Sequence, residues 1–450
     1  MMVISNKRAA AFSLLAFVVF LHPLHGCAIG ANQTSPRRPP AIIVFGDSIV
    51  DPGNNNVILT TIKCNFPPYG KDFVGHKATG RFSNGKIPSD IIASQLGIKE
   101  YVPAYLGTEL SAYDLITGVS FASGGCGFDP LTSQLVSVLS MDDQLDLFIE
   151  YKEKVKAIVG EKKAAYITNN SEYLVVTGTD DLANTYFTTP FRRLEYDLPS
   201  YINFTVQSAS TFIQKLYHLG ARKIRVVGAP PIGCLPSQRT LAGGIERICD
   251  PTYNQAATFL NSQLSKEMQK LNSTLPKSKI LYIDMYTPLL DIILHPSNYG
   301  FEESKRGCCG TGTLEVTLTC NSLTTFICED ASKYVFWDSY HPTERAYEIL
   351  MTKLAQRYEQ ETEEVEGDEE EPLDLELKPV ASNQDVRRMI NYSMQPECAT
   401  SPLALHHLIL WLDISDVAHS DWSPNDFLHP VSAQNSSSRR IEWPRNKGVM

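Results

Sequence analysis

The sequence predicts an α/β protein in which a parallel sheet is covered by helices on both sides. Three observations carry that expectation. Five short apolar runs, rich in Val, Ile, Phe or Tyr and mostly bounded by Gly, Pro or Asp, read as buried strands. Helical patterns lie between them, and alternating strands and helices build parallel sheets. A serine, Ser48, follows just past the first run, beyond the carboxyl end of a strand, where such sheets bind ligands.

The runs are Ala41 to Phe45, Gly118 to Ala122, Tyr173 to Thr177, Lys223 to Gly228, and Lys279 to Asp284. Between the third and fourth, Phe212, Ile213, Leu216 and Leu219 recur at helical spacing, and Gly220 is the expected stop. A last helix is expected after Pro342, with Ala346, Tyr347, Ile349, Leu350 and Leu354 as its apolar positions. No internal repeat is visible.

The two ends read differently from this body. Residues 1–30 carry Lys7 and Arg8, then an apolar stretch from Ala9 to Leu21 broken only by Ser13, then mostly small residues from Gly26 to Ala31. That is a secretory signal pattern, and the stretch is too short to span a bilayer. The compact domain is expected over 40–358. Glu359 to Glu371 holds nine acidic residues and no basic one, so it carries most of the net charge of −10 and reads as a solvated linker. The body is left nearly neutral without a basic stripe, which argues against nucleic acid as a partner. Residues 372–450 show little periodicity yet hold Trp411, Trp422 and Trp443. They read either as a disordered tail of unknown function or as sequence foreign to the working protein.

The chain has ten cysteines. Cys27 falls in the signal region and Cys398 in the tail. The remaining eight are Cys64, Cys126, Cys234, Cys249, Cys308, Cys309, Cys320 and Cys328, an even set that implies disulfides in an exported chain. A metal site is not expected, because Cys308-Cys309 is adjacent rather than spaced C-x-x-C and the body has no histidine pair at ligand spacing. Glycosylation sequons at Asn169, Asn203 and Asn272 fit the same secretory route, with further matches at Asn32, Asn391 and Asn435.

Two motifs at opposite ends of the body carry chemistry. One is Phe45-Gly46-Asp47-Ser48-Ile49-Val50-Asp51, and the other is Trp337-Asp338-Ser339-Tyr340-His341-Pro342. A hydroxyl becomes a nucleophile when an imidazole takes its proton, and a carboxylate on the far ring nitrogen fixes the tautomer. Ser48, His341 and Asp338 supply all three parts. Asp47 is expected to cap the turn through backbone N–H groups. Asn54, Asn55 and Asn56 are expected to close that turn, with substrate contact as the weaker option. Arg81 is read as meeting either an acidic substrate group or a surface partner.

The longer string from Phe45 to Asn56 resembles the start of the plant GDSL esterase/lipase family, a branch of the SGNH hydrolases. The resemblance continues through Pro67-Pro68-Tyr69-Gly70, Gly80-Arg81-Phe82-Ser83-Asn84-Gly85, Gly118 to Gly125, Gly307-Cys308-Cys309-Gly310 and Tyr334 to Ala346. It implies a flavodoxin-like α/β/α sandwich with a central parallel sheet of about five strands. It also implies Ser48 as nucleophile, His341 as base and Asp338 as its orienting partner. The oxyanion hole would use the backbone N–H of Ser48, a backbone N–H of the Gly124-Gly125 turn with Gly125 the better match, and a side chain of a third block. That block departs from the family's usual Gly-x-Asn-Asp, reading Gly178-Thr179-Asp180-Asp181, so Asp180 stands where an amide donor is usual. An ionised Asp180 has no proton to donate; either it serves while held protonated, as burial near another acid would hold it, or Asn184 or a water replaces it.

The function expected is a secreted, extracellular serine carboxylic-ester hydrolase acting through an acyl-enzyme on Ser48, on a small-molecule or polymeric ester, with no cofactor. The alternatives are an acyltransferase, or a secreted lipid- or cell-wall-binding protein of the same fold with little turnover.

Overall fold

The computed structural model describes residues 38–323 and 326–363. The signal at 1–30, Asn32, Cys27, the tail at 372–450 with Asn391, Cys398 and Asn435, and most of the acidic stretch lie outside the described residues.

Four of the five expected runs form one parallel sheet: β1 (Ile42–Gly46), β2 (Glu172–Val176), β3 (Lys223–Val227) and β4 (Lys279–Ile283), adjacent in that order. Ile42, Glu172, Lys223 and Lys279 stand in register at one edge, and Gly46, Val176, Val227 and Ile283 at the other. The expected strand from Gly118 to Ala122 is more irregular. It runs along the free side of β1 through Val44 N–H to Val119 O and Phe121 N–H to Val44 O, with one bridge from Ser120 to Val44 of β1 and another from Ser120 to Ala104. The ladder stops at Gly46, whose N–H donates to Gln144 Oε1 at 2.8 Å instead of to the segment, while Asn54 Nδ2 holds Ser120 O and Ala122 O on the side away from β1. Counted as the fifth strand, it gives the spatial order 2-1-3-4-5 of the flavodoxin-like sandwiches. A separate parallel pair, β5 (Glu303–Gly307) and β6 (Tyr334–Phe336), leads into the second motif.

The helices follow in chain order: α1 (Pro88–Gln95), α2 (Ala112–Thr117), α3 (Pro130–Val136), α4 (Met141–Val159), α5 (Glu161–Asn170), α6 (Phe191–Glu195), α7 (Leu198–His218), α8 (Pro236–Ala242), α9 (Pro251–Thr274), α10 (Tyr286–Leu294) and α11 (Glu344–Glu363). Strand residues alternate between two apolar layers, as a period of two requires. Ile43, Phe45, Tyr173, Val175, Ile224 and Val226 pack against α4, α5, α7 and α9. Ile42, Val44, Leu174, Val176, Val227 and Ile283 pack against α1, α10 and α11. The helix read from Phe212 to Leu219 is the end of α7, which starts on an Asp197 cap and Pro199 in its first turn. The final helix extends to Glu363, five residues into the stretch expected to be linker, because Glu and Gln are good helix formers when a packed helix is already in place.

The cysteines correct the sequence expectation in part. Six of them form Cys234–Cys249, Cys308–Cys328 and Cys309–Cys320. Cys64 and Cys126 are buried thiols. They occupy different apolar clusters, Cys64 beside Tyr69 and Trp337 and Cys126 beside Phe128, where each packs as a small apolar side chain.

Candidate active site

Ser48 owes its position to the residue that ends β1. Gly46 has φ +136°, and a Cβ there would lie 1.9 Å from Val176 O, so only glycine allows the chain to leave the sheet this way. The turn is then fixed by Asp47 N–H to Val176 O at 2.9 Å, by Val50 N–H to Asp47 O at 3.2 Å, and by Ile49 N–H to Asp47 Oδ1 at 3.0 Å. Asp47 is therefore the cap expected of it. It is buried, while Ser48 beside it is partly exposed.

The second motif folds back as a tight loop. Trp337 N–H donates to His341 O at 2.7 Å, and Thr343 N–H to Val335 O at 2.9 Å. Inside it, the fully buried Asp338 accepts from the N–H of Tyr340 at 2.8 Å and of His341 at 2.7 Å. His341 Nδ1 lies 2.9 Å from both carboxylate oxygens, and its Nε2 lies 2.8 Å from Ser48 Oγ. Residues 293 positions apart thus form one hydroxyl–imidazole–carboxylate line. The Gly80-to-Gly85 motif holds this loop from outside. Ser83 Oγ donates to Pro342 O at 3.0 Å, and the Phe82 ring lies 5.2 Å from the imidazole.

Asp180 lines the same small cavity as Ser48 and His341, about 30 Å³ in volume. Burial pushes its pKa up to about 6, opposed by the His341 charge and by the Asn184 amide. Asn184 does not substitute for it. Its Nδ2 donates to Asp180 Oδ1, and its Oδ1 accepts from Tyr340 Oη at 2.9 Å, which itself accepts from Gln238 Nε2 at 3.0 Å. Asn184 is thus a positioning residue on a π-helical turn, Asp181–Thr188. Asp181 takes no part in the cavity lining. It accepts from Phe128 N–H, Asp129 N–H and Thr132 Oγ1, and burial raises its pKa to about 7. Burial, then the Asp180 charge, also hold Asp47 well above the usual carboxylate range.

The two adjacent glycines differ in what their N–H groups do. Gly124 N–H donates to Asp51 Oδ2 at 3.0 Å, whereas Gly125 N–H and Ser48 N–H donate to none of the described residues. The strand end before them is tied to the nucleophile turn by Ser123 N–H to Gly46 O at 2.8 Å. Gly125 itself does not line the Ser48 cavity.

Arg81 corrects the sequence reading, since it faces neither substrate nor surface. It is buried and makes a two-pronged pair with the fully buried Asp90, with both contacts at 2.8 Å. A guanidinium buried this way needs such a fork to offset its desolvation. Asn54, Asn55 and Asn56 close the loop, with Asn55 Nδ2 bound to Ile62 O and Gly124 O and Asn56 Nδ2 to Thr79 O. Tyr69 stands in the sequence as one member of a Pro-Pro-Tyr-Gly motif, yet its hydroxyl supports Asp338 from within. Nothing local in the sequence marks that role.

A parallel sheet with a Ser-His-Asp line beyond its carboxyl ends defines a hydrolase site of the SGNH type. The chain belongs to the GDSL-like lipase/acylhydrolase family, whose model matches residues 42–354, and it is a carboxylic-ester hydrolase of that family. It is 55% identical over 319 residues to the GDSL esterase/lipase EXL3 of Arabidopsis thaliana, covering 71% of this chain and 87% of that one. With the GDSL esterase/lipase EXL2 of the same plant it shares 45% over 373 residues, covering 79% and 97%. Among solved structures, the lipase Lip_vut3 from a goat rumen metagenome aligns with 96% of its chain and 70% of this one, at 14% identity and a TM-score of 0.30.

Proposed function

We propose that the protein cleaves carboxylic esters through an acyl-enzyme on Ser48, and the 2.8 Å approach of His341 Nε2 to Ser48 Oγ carries this reading. His341 takes the hydroxyl proton as Oγ bonds to the ester carbonyl carbon. The tetrahedral adduct collapses, the carbon–oxygen bond to the alcohol breaks, and the alcohol leaves with the proton from His341. Water then repeats the attack, and the acid departs as Ser48 regains its proton. Asp338 holds the imidazole and stabilises its charged form.

The Ser48 and Gly125 N–H groups are the proposed oxyanion donors, since neither is used elsewhere among the described residues. Asp180 is the proposed third face. Secretion to the cell exterior is supported by the disulfides and by sequons at Asn169, Asn203 and Asn272, all three exposed. Among the described residues no helix is long and apolar enough to cross a membrane.

The test is release of p-nitrophenol from p-nitrophenyl acetate by the secreted protein and by Ser48→Ala. The wild type turns over and the variant does not. Equal rates in both would remove Ser48 from the chemistry.

A further inference from the structure

A second cavity, of about 160 Å³, adjoins the one at Ser48, with Ile49 and Met285 lining both. Its floor is the sheet face of Leu174, Val176, Val227 and Ile283, and its walls come from α1 and α11. Val176, Val227 and Ile283 stand at the carboxyl ends of their strands, in register with Gly46, so the cavity starts level with the nucleophile turn. From Val176 back to Leu174 it follows the strands for about 7 Å. At that far end the lining turns polar with Arg225, whose Nε–H is held by Glu172 Oε2 at 3.0 Å.

We propose that this groove receives the acyl chain of the substrate, an unbranched aliphatic chain of medium length, while the carbonyl sits at Ser48. The proposal rests on the esterase reading above and adds the substrate class. The lining decides the chemistry. Up to the Arg225–Glu172 pair every wall residue except Gln95 is apolar or aromatic, so an alkyl chain loses water there without leaving a buried polar group unpaired. A sugar or a phenolic acid bearing hydroxyls would find almost no partners. The ion pair sets the length limit, because a longer chain must pass charge or turn out to solvent, where further methylenes gain nothing.

Each methylene that enters should raise kcat/KM by about fourfold, so octanoate should exceed butyrate by on the order of a hundredfold. The gain appears in KM more than in kcat, because the chain is bound alike in ground and transition states. Between octanoate and palmitate the gain should stop.

The experiment is a p-nitrophenyl ester series from acetate to palmitate on the full chain and two groove variants. Ala355→Phe on α11 fills the groove, and Ile92→Ala on α1 enlarges it; both residues are only partly buried. The octanoate-to-acetate ratio should fall at least tenfold in Ala355→Phe, and the optimum should move to longer chains in Ile92→Ala. General loss of fold would instead lower every ester together, and the two variants would not move the optimum in opposite directions. An unchanged profile in both variants, with acetate hydrolysis still dependent on Ser48, would overturn the proposal and leave the groove to another occupant. No hydrolysis of any ester by the wild type would sink the esterase reading itself.

Discussion

The Tyr69 hydroxyl donates to Asp338 Oδ2 at 2.8 Å, although the two residues lie 269 positions apart. Both are buried, and Tyr69 in turn accepts from Thr317 N–H at 2.8 Å. Burial, then the Asp338 charge, hold the phenol pKa well above its ordinary value, so it stays a donor. Asp338 is thus gripped by four donors, three of them local and one from a distant loop. Tyr69→Phe should lower kcat by tenfold or more, since a hydrogen bond to a buried charge contributes about 1.5–3 kcal/mol. KM for p-nitrophenyl acetate should hardly move. A change in KM at constant kcat would place Tyr69 on the substrate instead.

Asp180 gives a prediction with a direction in pH. Its pKa of about 6 leaves it charged at pH 8 in the cavity it shares with Ser48, where the proposed mechanism develops negative charge on the ester oxygen. Asp180→Asn removes that charge and supplies an amide donor. The kcat at pH 8 should therefore rise, by at most about 10²–10³, the worth of one oxyanion donor. Below pH 6 the wild-type carboxyl is protonated and can itself donate, so the advantage should shrink. Equal effects at pH 5.5 and pH 8, or none, would take Asp180 out of the oxyanion site.

The Cys309–Cys320 bond closes the loop that carries Glu315 and Thr317. Thr317 N–H holds Tyr69, and Glu315 O accepts from Ser339 N–H at 2.9 Å, next to Asp338. Replacing both cysteines by serine should cost about 2–5 kcal/mol of stability, as native disulfides do. It should also lower kcat at temperatures where the fold persists. Urea melts and kcat measured on the same samples separate the two effects. Full activity in a clearly destabilised variant would show that the loop does not support the triad.

Buried acids make stability depend on pH in an unusual direction. Burial raises Asp51 and Asp180 to about 6 and Asp181 to about 7. A raised folded pKa means the native state binds protons that the unfolded chain, with carboxyls near pH 4, has already released. The stabilisation is therefore complete at acid pH below the unfolded value and is lost as pH rises through 6–7. Urea unfolding should give a free energy larger at pH 5 than at pH 8 by on the order of a few kcal/mol, since each tenfold gain in proton affinity on folding is worth about 1.4 kcal/mol. A protein more stable at pH 8 would contradict the burial of these groups as acids.

The sequence revealed the elements whose signals are local. β1 and the turn after it were legible because an apolar run and a glycine at Gly46 adjoin Ser48, and Asp338 and His341 because they sit on one loop. Contacts made across the chain were not legible. Arg81 reads as available until α1 brings Asp90 beneath it, and Tyr69 reads only as a member of the Pro-Pro-Tyr-Gly motif until the loop of Thr317 and the buried Asp338 close around it. A count of cysteines likewise could not tell thiols sealed in separate apolar clusters, Cys64 and Cys126, from those that meet. Asp180 was recognisable as a departure, but Asn184, four residues on and named from the sequence as its substitute, is instead its hydrogen-bond partner across one helical turn.

Passage of an acyl group through Ser48 is tested most directly by acid-quenching the enzyme within its first turnover of p-nitrophenyl octanoate and mapping its peptides by mass. One octanoyl group per chain is expected on the peptide containing Ser48, none on Ser48→Ala, and a slowed appearance in His341→Ala. An octanoyl group found on another residue, or on Ser48→Ala to the same extent, would contradict the acyl-enzyme.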